Sequence, residues 1–111
     1  QEVAECCRKL KALARKLACP VIISSQLNRQ SEGMPARVPE LSHLRESGAI
    51  EQDSDMVLLL YRPERARMRV YGDRKLPTEG MVVAIVAKHR NGQTGEVIFR
   101  HNDSMTQMAD W

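Results

Sequence analysis

The sequence is poor in aromatic residues and has no long apolar run. Phenylalanine, tryptophan and tyrosine make up 4% of its 111 residues. That is too few for the stacking platforms on which many single-strand binders hold bases. No apolar stretch approaches the roughly 20 residues that span a bilayer. The sequence therefore predicts no membrane partner.

Cysteine and histidine are also scarce and scattered. The cysteines are three in number and have no C-x-x-C spacing, which predicts reduced core thiols rather than disulfides or a zinc site. The three histidines are too far apart to predict a metal site. The polar, acidic start, Gln1–Glu5, is unlike a secretory signal peptide. These features together favour a cytoplasmic protein that holds no metal.

What is present is enough for one packed domain. Apolar residues make up 42% of the chain, and the net charge of +3 permits an anionic partner without requiring one. Apolar residues recur at the helical period from the start of the chain, and basic residues fill the opposite, solvated face. The apolar face consists of Val3, Cys6, Cys7, Leu10, Leu13, Ala14 and Leu17. Because the first residue is not Met and a helix begins at once, we expect a piece of a longer chain.

A short buried strand is predicted directly after this helix. Pro20 ends the helix, and Val21–Ile23 is β-branched and continuous, as in a central parallel strand covered on both faces. Polar residues follow at its carboxyl end, where parallel sheets bind ligands. Gln26 is among them, and its amide could sense a phosphate or simply cap the strand. Position alone leaves both interpretations open.

The stretch Leu41–Asp55 predicts a short helix interrupted by Gly48, and the apolar strand Met56–Tyr61 follows it. One basic residue, Arg45, lies among four acids. The segment is either a solvated connecting helix or a functional segment at a sheet edge. Its apolar anchors are Leu41, Leu44 and Ile50.

The most basic part of the chain, Arg62–Lys75, could contact a phosphate backbone, but its composition favours a disordered, solvated excursion. A strand over Met81–Ala87 follows. Asn91-Gly92 then predicts a hairpin to a last strand over Glu96–Phe99. The predicted architecture is one layer of helix and about four strands, partly parallel with an antiparallel end hairpin.

The predicted hairpin carries two cations, Lys88 and Arg90, close to its tip. They could simply keep an exposed turn soluble. A rigid, exposed pair also suits delivery of positive charge to a phosphate on a neighbouring subunit, which is how an arginine finger acts in trans.

Three separated motifs, Ser25–Arg29, Leu44–Asp55 and Lys88–Gly92, together resemble the DnaB-type replicative DNA helicases. The likeness is to the C-terminal half of their RecA-like motor domain and extends from Gln1 to about Phe99. The resemblance implies an α/β fold with a mostly parallel sheet and an antiparallel terminal hairpin. Residues 1–111 would form a partial RecA-like domain, with a variable basic loop at 62–80 to which no family role is transferred.

The resemblance implies a motor that couples ATP hydrolysis to translocation on single-stranded DNA and duplex unwinding, in a hexameric ring of identical subunits. It implies that Gln26 faces the γ-phosphate and couples nucleotide state to DNA contact. Lys88 and Arg90 would reach the γ-phosphate held by the adjacent subunit. All three are thereby candidate catalytic and nucleotide-binding residues.

The resemblance also implies that Arg45, Glu46 and Gly48 face a central channel and hold DNA, largely through main-chain amides. A glycine lets the backbone approach a phosphate, and free N–H groups bind it without reading bases.

The sequence contains no G-x-x-x-x-G-K-[ST] phosphate loop, and no apolar strand ending in Asp precedes the first helix. We therefore expect ATP and Mg²⁺ to be bound by the full-length parent and not tightly by this chain, which alone would be inactive. Two alternatives remain open. One is a non-catalytic module that binds nucleic acid or a helicase, and the other is a piece of another RecA-like ATPase or recombinase.

Overall fold

Two helices precede six strands in the part of the chain that the structure, a computed structural model, describes: residues 2–27, 38–41, 44, 47–104 and 106–111. The helices are α1 (Glu2–Leu17) and α2 (Ser47–Asp53). The strands are β1 (Met56–Tyr61), β2 (Val70–Tyr71), β3 (Leu76–Pro77), β4 (Met81–His89), β5 (Gly95–His101) and β6 (Met108–Asp110). A short 3-10 helix, Pro63–Ala66, lies between β1 and β2.

Helix α1 ends at Leu17 in a Schellman motif. Ala18 adopts a left-handed conformation with φ 51°. Its amide donates to the carbonyl of Arg15 at 3.3 Å, and the amide of Cys19 donates to that of Ala14 at 3.1 Å. These bonds satisfy carbonyls that the end of a helix leaves free, although glycine is the usual residue at this position.

The predicted apolar face of α1 is only partly covered. Cys7 is buried, whereas Leu13 and Leu17 are 43% and 59% exposed. Burial raises the pKa of the Cys7 thiol, so this side chain remains a neutral core residue. The helix packs against α2.

Four strands form one antiparallel sheet in the order β1–β4–β5–β6. Met56 lies opposite His89 between β1 and β4, and Val82 lies opposite Phe99 between β4 and β5. The three predicted strands at β1, β4 and β5 and the hairpin at Asn91-Gly92 are confirmed. Strand β6 comes from the C-terminal tail, for which the sequence predicted no element.

The strand predicted at Val21–Ile23 is wrong for this structure, since residues 21–26 pair with no strand in the described part of the chain. The central parallel strand that was predicted needs a neighbour on each side, and the described residues supply none for this segment. Ile22 is 93% exposed. A groove of about 530 Å³ lies between this segment, α1 and β1. All strand pairs described are antiparallel, so the parallel part of the sheet stays a prediction.

Helix α2 is held on the sheet by apolar residues. Leu44, Val57 and Leu59 are buried together. Leu41 and Ile50 pack against them, which confirms the three predicted anchors. The prediction that Gly48 interrupts a helix is wrong, because α2 begins at Ser47 and includes Gly48.

The predicted disorder of the basic excursion is wrong, because apolar residues between its arginines anchor it. Tyr71 is 6% exposed and packs with the fully buried Met81 and Val83 of β4. Its hydroxyl donates to a carboxylate oxygen of Glu96 at 2.6 Å. β2 and β3 thus form an ordered two-stranded sheet. No helix in the described residues is long and apolar enough to cross a membrane.

Candidate functional site

An irregularity in β4 sets the direction of Lys88. Ile85 lies opposite Leu59 and Lys88 lies opposite Val57, and residues directly opposite each other share a face of the sheet. Positions 85 and 88 are an odd number apart, so a regular strand would place them on opposite faces. The register shift between Val57 and Leu58 is a β-bulge that adds one residue on β4 and re-aims Lys88. Lys88 therefore projects on the face that α2 covers.

Both predicted cations donate hydrogen bonds to carbonyl oxygens at the C-terminal end of α2. The ammonium group of Lys88 donates to the carbonyl oxygen of Glu51, and it lies 3.3 Å from that of Gln52. The guanidinium of Arg90 also donates to the Gln52 carbonyl, at 3.3 Å. The last carbonyls of a helix lack intrahelical partners and carry partial negative charge, which cations stabilise. The helix end therefore holds Lys88 and Arg90 side by side.

Asp55 completes the cluster. One carboxylate oxygen lies 2.8 Å from a guanidinium nitrogen of Arg90 and 2.5 Å from the ammonium nitrogen of Lys11. The amide of Arg90 also donates to the carbonyl of Asp55 at 2.8 Å. The hydrogen bond from Lys11, followed by the charges of Lys11, Arg90 and Lys88, lowers the pKa of the Asp55 carboxyl. The carboxylate is therefore ionised at neutral pH.

The cluster lies at the surface. The side chain of Arg90 is 45% exposed and that of Asp55 is 61% exposed. Exposed ion pairs contribute little to net stability because water and salt screen them. Three cations (Lys11, Lys88 and Arg90) surround one carboxylate, so the patch keeps excess positive charge with which it can bind an anion.

The structure brings together two of the predicted site residues, Lys88 and Arg90. Gln26 is exposed, and no hydrogen bond or ion pair joins it to either cation in the part of the chain that is described. Gly48 lies on α2 four residues before Gln52, about 6 Å along the axis. The predicted DNA-binding residues Arg45 and Glu46 lie outside the described residues.

Sequence reasoning missed the contributions of Asp55 and Lys11. The sequence pattern marks Asp55 only as one of the acids of its segment, and Lys11 as part of a solvated helix face. The contact between Asp55 and Arg90 follows from the antiparallel register of β1 and β4, in which Met56 faces His89. No local sequence signal marks that register.

The cluster suits a phosphate and not a divalent metal. Among the described residues, no group of three or more His, Cys, Asp or Glu side chains is arranged to hold a metal ion. The carboxylate of Asp55 faces cations. The site can supply positive charge to a phosphate that other residues hold.

The chain shares its fold with several solved structures, including the following two. One is described as an ATPase domain: it is 37% identical, with a TM-score of 0.82, over 98% of this chain and 36% of that one. The other is described as "The Structure Of A DnaB-Like Replicative Helicase And Its Interactions With Primase": it is 36% identical, with a TM-score of 0.84, over 98% of this chain and 25% of that one. The fold is therefore that of part of a helicase ATPase domain, and the predicted RecA-like class is confirmed.

The model of the family described as "DnaB-like helicase C terminal domain" matches residues 1–110. The replicative DNA helicase DnaB of Mycobacterium leprae is 48% identical over 98% of this chain and 17% of its own length. That of Leifsonia xyli is 46% identical over 99% of this chain and 23% of its own length. The chain belongs to the DnaB-like helicase C-terminal domain family. It spans about a fifth of the length of these relatives.

Proposed function

We propose that the chain is the C-terminal half of the motor domain of a replicative DNA helicase. The whole protein would couple ATP hydrolysis to translocation on single-stranded DNA and to duplex unwinding. It would act in the cytoplasm as a hexameric ring of identical subunits. The family match over residues 1–110 supports this proposal, as do the names of the relatives.

The paired placement of Lys88 and Arg90 carries the proposal. Both are held at the end of α2, and the Arg90 side chain is half-exposed on the hairpin between β4 and β5. In the assembled ring they would reach the γ-phosphate of ATP held by the adjacent subunit. Their charge would stabilise the negative charge that develops on the transferring phosphoryl group.

The DNA contact would come from the segment that leads into α2. Gly48 is exposed, and a Cβ atom added there would meet no atom within 4 Å in the described part of the chain. Main-chain amides beside it can therefore approach a phosphate without a blocking side chain. Arg45 and Glu46 would belong to the same DNA-binding loop, and Gln26 would couple the nucleotide state to it.

ATP and Mg²⁺ would be held by parts of the longer protein, since this chain has no phosphate loop. When bound there, Mg²⁺ would supply further positive charge to the phosphates. The contribution of this chain is the cationic pair that approaches that site from the neighbouring subunit.

Arg90→Ala in the full-length protein tests this proposal. Arginine fingers contribute about 10³–10⁵ in turnover, so the kcat for ATP in the presence of single-stranded DNA should fall by that factor while the ring remains assembled. Arg74→Ala is the matched control, because Arg74 is an exposed arginine distant in sequence from the cluster. Unchanged kcat in Arg90→Ala rings would remove the finger assignment.

A further inference from the structure

Asp55 contacts Arg90 twice, once through the side chain and once through the backbone. The carboxylate lies 2.8 Å from the guanidinium, and the carbonyl of Asp55 accepts from the Arg90 amide at 2.8 Å. We propose that Asp55 is a positioning residue, which orients the Arg90 guanidinium before it meets the phosphate of the neighbouring subunit. This inference rests on the proposed function of Arg90.

The contacts leave part of the guanidinium free. A guanidinium has five N–H donors in a fixed plane. One nitrogen of Arg90 faces Asp55 and another donates to the Gln52 carbonyl, so these two acceptors fix the plane. Since no other described residue accepts from Arg90 side-chain nitrogens, the remaining donors can bind phosphate oxygens. A cation oriented in advance needs little reorganisation when charge develops in the transition state.

The carboxylate does not neutralise the cluster, because it is shared. The same oxygen of Asp55 contacts both Lys11 and Arg90, and Lys88 is held beside them by the end of α2. Because Asp55 is exposed, its attraction for Arg90 is screened and does not prevent exchange with a doubly charged phosphate. Asp55 therefore orients the Arg90 guanidinium and still allows it to bind a phosphate.

The test is Asp55→Asn in the full-length protein. Asparagine keeps the shape of the side chain and removes its charge. We expect kcat for DNA-stimulated ATP hydrolysis to fall about tenfold, with KM for ATP and Kd for single-stranded DNA changed less than about twofold. The control Lys9→Ala removes an exposed cation of α1 that pairs with Glu5 and not with the cluster, and it should leave kcat within about twofold of wild type.

The double variant separates positioning from a structural role. In an Arg90→Ala background, Asp55→Asn should cause no further loss of kcat, because the residue acts through Arg90. A full, additive loss in that background would overturn the inference, and so would wild-type kcat in Asp55→Asn alone. If Arg90→Ala itself leaves kcat unchanged, the proposed function fails and this inference fails with it. A large loss in Arg90→Ala beside an unaffected Asp55→Asn rejects only the role of Asp55.

Discussion

Asp55 and Arg90 face each other one step beyond the last paired residues of β1 and β4. Met56 lies opposite His89, and the amide of Arg90 extends this ladder to the carbonyl of Asp55 at 2.8 Å. Arg90, which follows β4, is thereby joined to Asp55, which precedes β1. The contact depends on tertiary register and links the hairpin to the end of α2.

The effect of Asp55 should not depend on pH near neutrality. Its carboxyl pKa lies below the ordinary value of 3.8 because of Lys11 and then Arg90 and Lys88. A lowered pKa means that the ion pair is complete above the unfolded value and is lost only as pH falls through the folded value. We expect the ratio of wild-type to Asp55→Asn kcat to stay constant from about pH 6 to 9. A ratio that declines toward one below neutral pH would contradict this assignment.

Substitution of Gly48 should weaken DNA binding without unfolding the domain. A Cβ atom added at Gly48 would meet no atom within 4 Å among the described residues, so the backbone of α2 can accept a side chain at this position. We expect Gly48→Leu to raise Kd for single-stranded DNA at least about tenfold, with little change in Kd for ATP. Gln52→Leu, one turn further along α2, is the control. Equal weakening of both affinities would indicate misfolding instead.

The hydrogen bond between Tyr71 of β2 and Glu96 of β5 should hold the β2–β3 sheet against the main sheet. Hydrogen bonds to charged groups contribute about 1.5–3 kcal/mol. Tyr71→Phe should therefore speed amide hydrogen exchange across residues 68–78 by about tenfold or more. Tyr61→Phe is the control, since its hydroxyl contacts the sulfur of Met68, a weak acceptor. Equal exchange rates in Tyr71→Phe and wild type would show that packing alone orders this segment.

The 111-residue chain by itself should self-associate. Ile22 and Leu60 are 93% and 65% exposed, and β1 is the edge strand of its sheet among the described strands. Exposed apolar residues beside an unpaired strand edge promote pairing with other chains. Sedimentation velocity should detect oligomers at micromolar concentrations, and Ile22→Asp with Leu60→Lys should reduce them. A monodisperse monomer with a sharp, reversible melting transition would contradict this prediction.

Local signals predicted the features that neighbouring residues determine. The apolar run of β1 and the Asn91-Gly92 turn needed no distant partner, and Lys88 and Arg90 were predicted to lie together because both directly precede the same hairpin turn. The prediction of a strand at Val21–Ile23 is wrong because a β-branched run cannot supply its own neighbouring strand.

Features that depend on tertiary contacts were not predicted. The bulge before Lys88 has no local marker, and it decides which face that side chain occupies. The charge of the basic excursion suggested disorder, whereas Tyr71 and its packing against β4 order it. The ion pair between Asp55 and Arg90 required the register of two strands that are separated along the chain.

Subunit mixing tests most directly whether Arg90 serves a phosphate held by another subunit. One full-length variant carries Arg90→Ala. The second keeps Arg90 but lacks the phosphate-loop lysine that its longer chain is expected to supply. Each alone should be inactive, and mixed rings should recover DNA-stimulated ATP hydrolysis because an intact pocket can meet an intact Arg90. Rings that demonstrably contain both variants yet show no recovery would contradict action in trans.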